Sequence, residues 1–251
     1  MDSRSRISLG RLLLVCVLAL VAAGSVLAEP DYKKLKKEIP ELEKAVRLAR
    51  DERDAADQKV ANNRAAQKRA EGAALATLKK EAKELTRKAG EKADLLAEAQ
   101  QKLGNQQGEL RAAAAKYAVS QINASGNLAV RVAEALTALD DWDDAVKGLP
   151  DVPKLRSVEG ITDPLAQKAV RAEDKKQLKA YDDWAAAEEK RLETEIKQAD
   201  ELIGAKEKVK SADDGDLLVT NAQSLKKKLQ TRKESVQKLR KKAKETLDSI
   251  D

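Results

Sequence analysis

From Leu35, positions 39, 42, 46, 49, 53, 56, 60, 63, 67, 70 and 74 alternate spacings of four and three residues. Most hold Ile, Leu, Val or Ala, with Arg53, Asn63 and Gln67 as polar interruptions. After a stutter near Leu78 the period resumes as Leu85, Ala89, Lys92, Leu96, Ala99 and Leu103. A later stripe runs Leu218, Ala222, Leu225, Leu229, Arg232, Val236, Leu239, Ala243, Thr246 and Ile250. A period of 3.5 turns one face of a helix toward a partner helix along its whole length. Alanine fills 43 positions, aromatics are 2% and Phe is absent, so strand formers are too few for a sheet. The expected fold is all-α, with long antiparallel helices forming a coiled coil or an elongated helical bundle with a thin core.

Breaks are read from the scarce Gly and Pro. "GNQQG" at 104–108 is the preferred hairpin tip, although Leu103 to Leu110 keeps the heptad phase, and "NASGN" at 123–127 is the rival. "KGLPDVPKLRSVEGITDP" at 147–164 is the clearest linker, with Asp163 and Pro164 as N-cap and first residue of the next helix. Asp216, after the turn "SADDGD", is the expected cap of the last helix, and Pro40 the first turn of the first. Helices are therefore expected near 40–103, 109–147, 164–210 and 217–249. As domains, this gives a signal peptide at 1–28, a helical hairpin at 29–147, a linker at 148–163 and a second hairpin at 164–251.

The signal peptide is inferred from Arg4, Arg6 and Arg11, an apolar run from Leu12 to Ala23, and small residues before Glu29. Export, to a periplasm or outside the cell, is the expectation, with an uncleaved anchor as the alternative. Cleavage would remove Met1 and Cys16, leaving no Cys, His or Met. Thiol and imidazole chemistry and the usual zinc and copper sites then lack their residues. No nucleophile motif or phosphate-binding loop stands out, so the chain reads as non-enzymatic, and no cofactor is expected.

Two stretches draw attention by composition. Trp142 and Trp184, the only tryptophans, each follow an Asp-Asp pair. If 109–147 and 164–210 pair antiparallel about residue 156, Trp142 faces residue 170 and Trp184 faces residue 128. The rings would then fill separate layers about 21 Å apart. Asp140, Asp141, Asp143 and Asp144 crowd one helix end, where their charges oppose the dipole. Their natural counterpart is the last helix, with Lys226, Lys227, Lys228, Arg232, Lys233, Arg240, Lys241 and Lys242. These thirteen residues, Asp140–Asp144 and the basic set, are the candidate partner-binding positions.

The expected function is binding: an exported scaffold or adaptor that holds protein partners along its helix faces. Alternatives are a holdase chaperone with basic helical arms, and an electrostatic binder of anionic lipid or envelope polymer. Export and the lack of aromatics among the basic residues argue against nucleic acid. Polar stripe residues (Asn63, Gln67, Lys92) point to self-association. In being exported, basic and helical, the chain is similar in composition to the Skp family of periplasmic chaperones. That likeness covers no aligned motif, and the family's small β body has no counterpart here. It implies the holdase reading.

Overall fold

The computed structural model describes residues 31–158, 161 and 164–250. The expected signal peptide and the expected cap Asp163 lie outside them. The protein is all-α, with six helices among the described residues: α1 (Asp31–Gln67), α2 (Gly72–Asn123), α3 (Leu128–Asp144), α4 (Pro164–Gly204), α5 (Lys206–Val209) and α6 (Gly215–Asp248).

The stripe from Leu35 to Gln67 forms the inner face of α1, where every stripe position is half-buried or buried. Its partner is α2 of the same chain. Lys92 bonds Glu52 at 2.7 Å and Gln106 bonds Glu38 at 2.7 Å, which sets an antiparallel register. The polar stripe residues are answered within this hairpin, Lys92 by Glu52 and Gln67 by Asn63 at 2.6 Å. Pro40 is internal rather than in the first turn. Starting the helix at Asp31 brings Tyr32 against Tyr117, ring centroids 5.4 Å apart, and Lys36 onto Asp141.

The turn expected at 104–108 is absent, and α2 runs through it for 52 residues, about 78 Å at 1.5 Å per residue. The reversal falls instead at 68–71, ahead of Gly72 with φ +54°. The Leu78 stutter was its trace. Gly104 and Gly108 are contact points rather than breaks. A Cβ at 104 would meet Pro150 and the Trp184 indole at 3.1 Å, and one at 108 would strike Arg191. The other candidate, 123–127, is the real break. There the Asn127 side chain accepts from Ala129 N at 2.9 Å and starts α3.

α3 folds back on α2, while α4 runs parallel to it. Contacts climb together along both helices, from Asp94–Gln177 to Gly104–Trp184, and continue to Asn123–Lys208, with Lys208 in α5. The segment 146–158 crosses between the hairpins as an extended strap. Its carbonyls find donors on the helices: Arg232 Nη1 gives to Val146 O at 2.6 Å, and Tyr181 gives its hydroxyl to Pro150 O at 3.0 Å. Buried backbone carbonyls need such partners. α6 returns antiparallel along α4, tied by Lys226–Asp200 at 2.6 Å, Lys233–Glu193 at 2.9 Å and Arg240–Asp182 at 2.7 Å. Its stripe is inward as expected, with Leu218, Ala222, Leu225, Leu229, Arg232, Val236 and Ala243 buried.

Asp216 lies in the first turn of α6 and not at its cap, because the helix already begins at Gly215. That glycine touches the preceding helix so closely that a Cβ would land on the Val209 carbonyl. Backbone cannot swing aside as a side chain can. Gly215→Ala is therefore expected to cost about 1–3 kcal/mol, read as a lower urea midpoint with unchanged helix content.

Candidate functional site

The helices converge on a buried cluster of charge. Arg111 of α2 and Glu188 and Glu195 of α4 have fully buried side chains, and Arg232 of α6 is 4% exposed. Arg111 bonds Glu188, and reaches Glu195 at 3.1 Å and Ala145 O at 3.3 Å. Arg232 Nε gives to Glu188 at 3.0 Å, and Arg191 adds a bond to Glu188 at 2.9 Å. Trp142 Nε1 gives to Glu195 at 3.0 Å.

The two carboxyls are pushed apart by their neighbours. Burial alone would raise Glu188, but Arg111, Arg232 and Arg191 together hold it below the usual range. Glu195 goes up, because burial outweighs Arg111 and Trp142. A carboxyl depressed in the native state adds stability above its unfolded value of 4.5, and that stability is lost as pH falls through the native value. On acidification below pH 4.5, wild type should lose more stability than Glu188→Gln, which starts lower at pH 7. Urea midpoints across that range check this. With each acid held by guanidinium, the cluster has the chemistry of a clamp.

Trp142 and Trp184 do occupy separate layers, but not those expected from α3–α4 pairing. Trp142 faces Glu195 rather than residue 170, because α3 packs on α2 and α6. Trp184 meets Gly104 rather than residue 128, and stacks obliquely on Tyr181 at 5.4 Å.

The acidic group is dispersed among separate lysines. Asp141 binds Lys36, Asp143 binds Lys228 at 2.6 Å, and Asp144 binds Lys147 at 2.7 Å. Asp140 is exposed as a residue, yet partial desolvation of its carboxyl, followed by the charges of Asp141, Asp143 and Asp144, pushes it up. Both Asp-Asp-Trp stretches thus dock α6, through Asp143 to Lys228 and through Asp182 to Arg240. Most of the basic run is likewise engaged: Lys226, Lys228, Lys233 and Arg240 bind acids of α3 and α4, Lys241 binds Glu245 at 3.8 Å, and Arg232 is buried. Lys227 and Lys242 have no acidic partner among the described residues.

Arg111, Glu188 and Glu195 were not among the residues singled out by sequence. Their signal was periodic: 178, 181, 185, 188, 192, 195, 199 and 202 form one stripe, with the two glutamates one heptad apart. A groove of about 1140 Å³ lies between the α1–α2 hairpin and the strap, with Arg50, Arg53, Arg64, Lys154, Arg156 and Lys242 on its walls. Arg156 bonds Asp174 at 2.6 Å and Arg50 reaches Asp151 at 3.6 Å, so these guanidinium groups fasten the strap. No helix of the described residues is long and apolar enough to cross a membrane. No protein-family model, no curated protein and no solved structure matches this chain.

Proposed function

We propose that the protein is an exported, non-enzymatic scaffold that binds protein partners along its helix faces. The carrying observation is the exposure of α1. Of its described side chains only Tyr32 and Asn63 are buried, although the helix has 37 residues. A two-helix arm of this kind contributes little core and offers a long surface. Leu48 on α1 and Leu95 on α2 are 56% and 50% exposed, and the hairpin register places them almost level. An exposed apolar pair midway along such an arm suits a partner contact.

A photo-crosslinking residue at Leu48 or Leu95, in cells of the native host, tests this directly. One or two stoichiometric adducts identified by mass spectrometry support the scaffold. A broad set of unfolded clients replaces it with the holdase chaperone, and no adduct at either position removes helix-face binding by the arm.

A further inference from the structure

The densest group of unpartnered positive charge among the described residues lies at the tip of the α1–α2 hairpin rather than on α6, where only Lys227, Lys238 and Lys242 lack an acidic partner. Residues 58–88 contain nine bases and three acids, a net of +6. That equals the net charge of the whole chain and leaves 40 bases and 40 acids in the other 220 residues. Elsewhere bases without an acidic partner among the described residues, such as Lys44, Lys116 and Lys227, are spread over several helices. At the tip, Lys59, Lys68, Arg69, Lys79, Lys80 and Lys83 are all exposed, and none has an acidic partner among the described residues. Arg87 and Lys88 share Glu84, at 2.6 and 3.4 Å, and Asn63 is the one buried residue of the segment.

We infer that the hairpin tip is a docking surface for a bilayer rich in anionic phospholipid. Three features of the segment favour that occupant. Its free charges are mostly lysines, compact point charges suited to a dense anionic surface more than to the fixed geometry of one phosphate. The segment carries no Trp, Tyr or Phe, so it lacks the aromatic anchors of tight protein interfaces and the stacking platforms of single-stranded nucleic-acid binders. Its larger apolar residues, Val60, Leu75, Leu78 and Leu85, are half-buried in the hairpin seam, which leaves no apolar wedge to insert. Binding is therefore adsorption at headgroup level, reversible and weakened by salt. Each basic residue near an anionic leaflet strengthens such binding roughly five-fold. This inference is independent of any protein partner of the arm.

The test is co-sedimentation of the full chain with vesicles of phosphatidylcholine, with and without phosphatidylglycerol, at low and high ionic strength. The comparison variant is Lys68→Gln, Arg69→Gln, Lys79→Gln, Lys80→Gln, with residues 1–30 unchanged so that any contribution of the N-terminus cancels. These positions are exposed, and equal helix content by circular dichroism establishes equal folding. The expected result is binding that requires phosphatidylglycerol, fades in high salt and falls on the order of a hundred-fold or more in the variant. A second variant, Lys227→Gln, Lys238→Gln, Lys242→Gln, removes unpartnered lysines of α6 and should bind as wild type does. Equal binding by the tip variant, or loss in the α6 variant alone, overturns the assignment. Preference for duplex DNA over the vesicles at matched salt overturns the choice of lipid.

Discussion

Arg111→Met is expected to destabilise the protein by about 3–5 kcal/mol, because it leaves two carboxylates in a dry interior with too little positive charge. For a chain of this size each kcal/mol moves the melting temperature by about 2–4 °C, so the fall is on the order of 10 °C. Burial alone does not set this cost. Replacing the whole group, Arg111→Met, Glu188→Leu, Glu195→Leu and Arg232→Met, removes the stranded charge and should recover much of the loss. Recovery stays incomplete because Ala145, Val146 and Gly148 also lose the guanidinium donors of their carbonyls. Urea unfolding of the single and quadruple variants gives both numbers. A single variant within about 1 kcal/mol of wild type would mean that water reaches the cluster, and the clamp reading would fall.

The second large effect is at Trp142, whose side chain is fully buried. Trp142→Ala should cost about 3–5 kcal/mol through the cavity it leaves. Trp142→Phe separates packing from polarity. It keeps a ring but takes the indole donor from Glu195, a loss of about 1–3 kcal/mol where the acceptor stays buried. Trp184 is the internal control, since its Nε1 is buried without a hydrogen-bond partner among the described residues. Trp184→Phe discards an unused donor and should cost less than Trp142→Phe. The reverse order in thermal melts would show that ring volume, not the bond to Glu195, sets the difference.

These contrasts explain what the sequence could disclose. Periodicity reports the face a helix hides, and the stripes of α1 and α6 were legible almost residue by residue. It does not report which helix lies opposite. For that reason the α3–α4 pairing and its tryptophan levels were misplaced, while the parallel α2–α4 contact carried no local sign. Glycine was ambiguous in the same way. At 104 and 108 it admits Trp184 and Arg191 to the helix surface, whereas the true reversal at 68–71 is marked only by Gly72 at its end. The basic run of α6 was matched in the sequence with the Asp140–Asp144 cluster, of which Asp143 alone reaches it, while Asp182, Glu193 and Asp200 approach it from α4. The tip's surplus was written in the sequence, but its lack of acidic partners became visible only in the structure.

The buried clamp also bears on how the chain assembles as it is made. Arg111, Glu188 and Arg232 are spread over 121 residues, and the last arrives on the final helix. Until α6 docks, Glu188 lacks one of its guanidinium partners and the strap carbonyls of Val146 and Gly148 lack their donor. The α1–α2 hairpin can close early, from neighbours in sequence, whereas the junction of the four long helices and α3 can be sealed only at the end. These contacts predict folding ordered from arm to junction, so that a chain truncated before residue 232 should keep the helix content of the arm and lose the cooperative melt of the body.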